Sequence, residues 1–255
     1  MGKRAGIFVL CVLAVVPLLA AGFTVGSLFL TEQEGEAYEA FSQQNTQGGG
    51  ILLADKGGDL FLVCLWDGEN THLISIQPTS CPIGQKDETF REIYADSGIG
   101  ELKKWISRSL SAGISGYLEV DFSRMDGVVD ALGGVELAGK SYNGQAFESY
   151  FHDLPNDSTG AKAQQNSVLA VGRRFCNAGF WKAQNALGKL LKITDTDLSL
   201  SALIKIGKKL IPALDGKGLY QHCLPDQGKW EIPDLPGMLA GLSGNTEDES
   251  NRYVV

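Results

Sequence analysis

The chain has 255 residues and a mass of 27.3 kDa, enough for one sizeable domain with its own core or for two small ones. Apolar residues at 44% and charged residues at 20% exclude both a disordered chain and a multi-span membrane protein. A net charge of −8 and a pI near 4.9 argue against a nucleic-acid partner, which needs a basic face, and three His with five scattered Cys make no zinc or disulfide scaffold.

Hydrophobicity is concentrated at the start. From Ala5 to Leu30 run 26 residues without a charged side chain. As a helix they span about 39 Å, against a hydrocarbon thickness of ~30 Å. Lys3 and Arg4 precede this run and Glu32, Glu34 and Glu36 follow it, so residues 1–4 are a cytoplasmic stub and everything after Thr31 is exported. Pro17 is tolerated in a membrane helix. The alternative is a cleaved signal peptide, whose apolar core is usually ~7–15 residues. Cys11 lies inside the run with no small-residue site before it, a poor lipid-attachment signal. The sequence thus predicts a single-pass cell-membrane protein with an extracytoplasmic C-terminal domain. That exported part carries about −10, and there Cys64, Cys81, Cys176 and Cys223 can oxidise in any of three pairings or stay as free thiols.

Residues 31–48 lack an apolar period and read as a polar stalk. The domain proper spans 49–240, and 241–255 form an acidic tail. ILLAD (51–55) predicts a first strand. Leu60–Trp66 and His72–Gln77 predict two more, joined by the turn Asp67-Gly68-Glu69-Asn70. The first of that pair is apolar throughout, as a strand covered on both faces must be. A helix is expected around 98–112, with Ile99, Leu102, Ile106 and Leu110 on one face. Tyr117–Phe122 alternates like a strand, Ser123 is a candidate cap for a short helix carrying Val128, Val129 and Leu132, and Gly133-Gly134 ends that helix before an extended Val135–Leu137. A longer helix starts at Ser158 or Thr159 and reaches about Cys176. After Gly179 a second carries Phe180, Leu187, Leu190 and Leu191, and a third from about Ser199 to Ile211 carries Leu203, Ile206 and Leu210, with Asp195 and Asp197 as its caps. Trp105 and Trp181 are read as core side chains. Strands interleaved with helices predict an α/β fold, a mixed central sheet with helices on both faces in an α/β/α sandwich.

GYLEVDFSRMDGVVDALGGVEL (116–137) resembles the signature of the LytR-CpsA-Psr (LCP) family. Weaker pieces follow the family's order around it: GGDLFLVCL (57–65), LISIQPT (73–79), YNGQAF (142–147), DSTGAKAQQNSVL (157–169) and TDTDLSLSALIKIGKKL (194–210). The similarity covers roughly residues 50–236, and a single leading anchor fits it. The resemblance implies a membrane-anchored phosphotransferase that moves a glycopolymer from a polyprenyl-pyrophosphate carrier to peptidoglycan. Such chemistry uses acidic residues for a divalent cation, arginines for the pyrophosphate and an apolar groove for the lipid. The family's older label, transcriptional attenuators, finds no DNA-reading part in a four-residue stub.

On that resemblance Asp59 and Asp157 are candidate Mg²⁺ ligands and catalytic residues together with Gln164, while Lys162 and Gln165 are candidates for lipid or phosphate binding. Departures fall on the cations. Pro78-Thr79 stands where the family has Arg-Asp. The pattern Asp-x-x-Arg-x-x-Arg-Gln-Gln reads Asp157, Gly160, Ala163, Gln164, Gln165, and no Arg occurs between Arg124 and Arg173. Every arginine missing from a phosphate site takes with it a charge-assisted bond of ~1.5–3 kcal/mol, and ~1.36 kcal/mol of barrier is tenfold in rate. The sequence therefore predicts a member with impaired or lost catalysis. The alternative is a non-catalytic module that binds polyprenyl lipid or a partner. An unrelated hydrolase lacks its Gly-x-Ser-x-Gly elbow. Plainer roles stand beside each candidate: Asp59 as a turn residue, Asp157 as a helix N-terminal carboxylate, the two Gln as solvent-facing. His72, His152 and His222 have no ligand-like spacing.

Overall fold

The computed structural model describes residues 49–67, 70–82, 88–110, 112–214 and 218–224. The anchor (5–30), the stalk (31–48) and the tail (241–255) lie outside the described residues, and among those described no helix is long and apolar enough to cross a membrane.

The strands Gly49–Asp55 (β1) and Phe61–Asp67 (β2) show why the sheet needs cover on both sides. Successive side chains of a strand point to opposite faces. Ile51, Leu62, Cys64 and Trp66 enter one apolar cluster, while Leu52, Ala54, Phe61, Val63 and Leu65 enter another. The strand Asn70–Ile76 (β3) continues the pattern, Leu73 to the first cluster, Ile74 and Ile76 to the second.

The second cluster is closed by one long helix, Phe90–Ser109 (α1), through Phe90, Ile99, Leu102, Ile106 and the adjoining Leu110. It begins eight residues before the sequence expectation of 98–112. Thr89 and Glu92 form a capping box, each side chain meeting the other's backbone N–H, and this nucleates the early turn. Gly98, at φ 75°, then kinks the helix and breaks the apolar period that would have revealed its first half.

Ile114–Val120 (β4) pairs parallel with β1. Ser123 lies in the 3₁₀ turn Phe122–Arg124, its hydroxyl on Asp121, rather than capping the next helix, Asp126–Leu132 (α2). Gly133 ends α2 in the left-handed conformation, as expected. The ribbon Val135–Leu137 (β5) and Lys140–Tyr142 (β6) follows, then a helix not foreseen, Gly144–His152 (α3), capped by Asn143 on the Ala146 N–H. Ser158–Asn177 (α4) and Phe180–Leu190 (α5) match the expected helices. Thr194–Thr196 (β7) is antiparallel to β4, Leu200–Leu214 (α6) follows, and Leu219–Cys223 (β8) pairs parallel with β3. Asp195 and Asp197 do not cap α6. Asp195 lies in β7 against Lys56, Asp197 accepts from the Tyr117 N–H, and the Ser199 hydroxyl takes the Ala202 N–H instead.

The six-stranded sheet runs β7-β4-β1-β2-β3-β8 and is mixed. Side chains of α2 to α6 cover its first face and α1 the other. This is the three-layer arrangement that the sequence predicts. Leu102 has no exposed surface at the centre of the α1 contact. Leu102→Ala is expected to lower unfolding stability by about 3 kcal/mol, read from urea midpoints.

Candidate functional site

β1, β3, β4 and β8 point the same way, so their carboxyl ends share one edge of the sheet. Ligands of α/β sheets gather outside such an edge. Asp55 closes β1 there. Its two oxygens accept the N–H groups of Gly57 and Phe122, both at 3.0 Å, and join the β1–β2 loop to the turn after β4. Burial raises its pKa, opposed by those two backbone donors. The sequence does not single out Asp55, which reads there only as the polar end of a strand.

Asp59, in the same loop, is half-exposed and pairs with Arg91 through an Oδ1–Nη2 contact of 2.5 Å, while the Arg91 Nε donates to the Gly58 carbonyl at 3.3 Å. Arg91 belongs to the first turn of α1, and its own N–H donates to the Pro78 carbonyl at 2.9 Å. One guanidinium thus reaches the corner from outside every motif. No signal in the sequence ties Arg91 to Asp59, because 32 residues separate them and the expected helix begins after it. Tyr94, one helical turn further on, donates to Glu119 at 2.7 Å, and burial with that carboxylate pushes its hydroxyl pKa up.

Gln164 joins this corner, its Nε2 at 3.5 Å from the Asp59 carbonyl. Asp157 takes its helix-terminal role, capping α4 by accepting the Gly160 N–H at 2.9 Å. Ser158 beside it has its carbonyl 3.7 Å from Cys223 Sγ at the end of β8. β2 and β8 stand two strand spacings apart, about 10 Å, with β3 between. Lys162 is half-buried beside Cys223, whose thiol pKa is raised by burial and lowered in lesser part by that lysine. No disulfide joins Cys64, Cys81, Cys176 and Cys223, and burial pushes the Cys64 thiol up to about 12.

Gln165 lies inside, with no exposed surface. Its Nε2 faces the Leu73 carbonyl at 3.3 Å, Ser75 Oγ at 2.8 Å and the His222 carbonyl at 2.8 Å, tying α4 to β3 and β8, while its Oε1 is buried without a partner. It holds the fold where the resemblance would have it touch a ligand. The missing arginines also have a structural correlate. A Cβ on Gly160 would lie 1.7 Å from the Pro155 carbonyl oxygen, so the backbone before α4 has closed over the place where a side chain would leave the helix.

Of the two candidate Mg²⁺ ligands, Asp59 pairs with Arg91 and adds its charge to the raised pKa of Asp55, while Asp157 is bound to its helix; among the described residues no group of three His, Cys, Asp or Glu side chains gathers. A concavity of about 400 Å³ lies elsewhere, beside Arg174, Phe180, Trp181 and Lys182. Trp181 is 78% exposed, not core as the sequence suggests, because α5 buries its Ala183–Ala186–Leu190 side.

An α/β/α domain with charged groups gathered at the carboxyl edge of a mixed sheet is the class defined by these elements. The same fold occurs in Bacillus subtilis TagU, at 16% identity over 78% of this chain and 96% of that one, TM-score 0.55. It occurs in B. subtilis TagV, at 16% identity over 71% and 85%, TM-score 0.56, and in a transcriptional regulator of Enterococcus faecalis, at 18% identity over 70% and 76%, TM-score 0.57. No protein-family model matches the sequence, and no curated protein matches it.

Two outcomes test this geometry. Gln165→Glu places a carboxylate against three oxygens and is expected to cost more than about 3 kcal/mol at neutral pH in urea unfolding, with part of the loss recovered in acid. His222 is held at about 4, below its ordinary 6.5, by burial and by His72, which stacks on it 3.2 Å away (Nδ1 to Nε2). Between those values the unfolded chain takes up a proton that the folded chain refuses. Stability is therefore full above pH 6.5 and declines as pH falls toward 4. His222→Gln should shrink the difference between urea midpoints at about pH 7 and pH 5.

Proposed function

We propose that this chain is a membrane-tethered, extracytoplasmic LCP-type protein of cell-wall glycopolymer assembly whose phosphotransfer chemistry has been lost. The shared fold of TagU and TagV supports the LCP half of this reading, and so does the ordered series of motifs from Gly57 to Leu210. The loss rests above all on Gly160. Where the family pattern carries an arginine, no side chain of any kind fits against Pro155 without moving backbone.

Phosphoryl transfer depends on positioning and on neutralising charge that builds on the phosphate oxygens. Arg91 supplies one guanidinium at the Asp59 corner, and Asp59 already occupies it. A lipid pyrophosphate needs several such donors held away from water. Asp55 is spent on two backbone N–H groups and Gln165 on three oxygens of the sheet. What the corner retains is a rigid polar edge above an apolar domain, suited to holding a lipid-linked glycan or an intact transferase without turning it over.

The test uses the full chain in lipid nanodiscs with Mg²⁺ and a polyprenyl-pyrophosphate-linked glycan. Neither transfer to peptidoglycan fragments nor pyrophosphate hydrolysis is expected above the protein-free rate. Turnover that Asp59→Ala abolishes would overturn the loss of catalysis.

A further inference from the structure

We propose that the Phe180–Trp181 corner and the basic face of α5 beside it dock on the anionic lipid surface of the membrane that tethers the chain. This rests on the reading of residues 5–30 as an anchor.

Trp181 and Phe180, at 78% and 43%, are the large apolar side chains that stand exposed among the described residues. Their rings meet edge to face with centroids 5.0 Å apart. Helical phase turns them outward, since α5 packs through Ala183, Ala186 and Leu190. Arg174 and Lys182 line the concavity with them. The surrounding charge is unlike that of the rest of the domain. From Arg173 to Thr194 there are five basic side chains and no acidic one, in an exported part that carries about −10.

Position joins this patch to the tether. α4 runs from Ser158, beside Cys223 at the carboxyl end of β8, to Arg173, whose Nε donates to the Leu214 carbonyl at 2.6 Å, five residues before β8 begins. Phe180 and Trp181 follow the lower end of α4, so they lie toward the amino end of β8. Sheet register carries that end across the domain: Leu219 lies opposite Thr71, Thr71 opposite Trp66, and Trp66 opposite Gly49. Gly49 is where the chain enters the domain from the apolar run. The residues between, 31–48, span at most about 60 Å. Aromatic rings sit well at the headgroup level, and lysines and arginines beside them are attracted to anionic lipid within a Debye length. So seated, the Asp59 corner at the opposite edge faces away from the bilayer.

The full chain is reconstituted into phosphatidylcholine vesicles with and without one-third phosphatidylglycerol, both with brominated acyl chains. Flotation reads the tether, and quenching of tryptophan emission reads the docking. Trp181→Phe isolates the light of Trp181 from that of Trp66, Trp105 and Trp230. The chain is expected to float on both vesicles. On anionic vesicles the Trp181 emission should be quenched, and that quenching should fall about twofold or more on phosphatidylcholine alone, in ~1 M salt, or with Lys182→Glu/Lys189→Glu. A floating chain whose quenching Trp181→Phe leaves unchanged overturns the docking and leaves the tether standing. Equal quenching on both vesicles overturns the choice of anionic lipid. Trp181 shielded from bromine by a second copy, seen as a dimer that Trp181→Ser splits, or by the acidic stalk, seen as exposure on Glu32→Gln/Glu34→Gln/Glu36→Gln, also overturns it. A chain that does not float overturns tether and docking together.

Discussion

Gln165 sits with no exposed surface between α4 and the sheet, its amide nitrogen within reach of oxygens on β3 and β8. A polar side chain at that depth is tolerable only because those bonds replace water, and leaving a donor unmet there costs ~1–3 kcal/mol. The bonds fix the height and rotation of α4 over β3 and β8. The same helix start carries the closure of Pro155 over Gly160, the cap by Asp157, and the contact of Gln164 with the loop that holds Asp59. Ser75 adds a further tie, its hydroxyl directed at the Ala161 carbonyl. The carboxyl edge is shaped by this anchorage before any ligand chemistry enters.

Charge is arranged to the same plan. At the carboxyl edge, acidic groups meet cations singly: Asp59 with Arg91, Asp195 with Lys56. These pairs are half-exposed, and pairs of that kind contribute ~0–1 kcal/mol, so their role is to set local potential more than to hold the fold. The opposite end, where α4 gives way to α5, carries basic groups and two bare aromatic rings. A domain with opposite characters at its two ends has a preferred orientation beside any charged surface.

The candidate site is legible in part. Asp59 and Asp157 stand out because a family resemblance points to them, and the plainer reading of Asp157 as a helix-terminal carboxylate describes its observed bond. Arg91 carries no local signal: its bond to Asp59 exists only because α1 packs its first turn against the β1–β2 loop. Gln165 falls among the ligand-binding candidates because an amide on a helix bears no mark of which way it faces. Its neighbours Lys162, Ala163 and Gln164 are half-buried, and only the phase of α4 against the sheet sends Gln165 inward.

The fold is more legible. LFLVCLW declares a strand covered on both faces, Gly133-Gly134 a helix end, Gly179 a break between helices, and each stands so in the structure. These are effects of nearest neighbours along the chain, where side-chain period and glycine backbone freedom act over a few residues. By itself the sequence determined the layers, the charge, and the order of motifs. Tertiary structure alone decided the short strands β7 and β8, the meeting of Arg91 with Asp59, the burial of Gln165 and the exposure of Trp181. Each of those depends on which surface another element covers, and covering is a property of the assembled layers that no window of sequence contains.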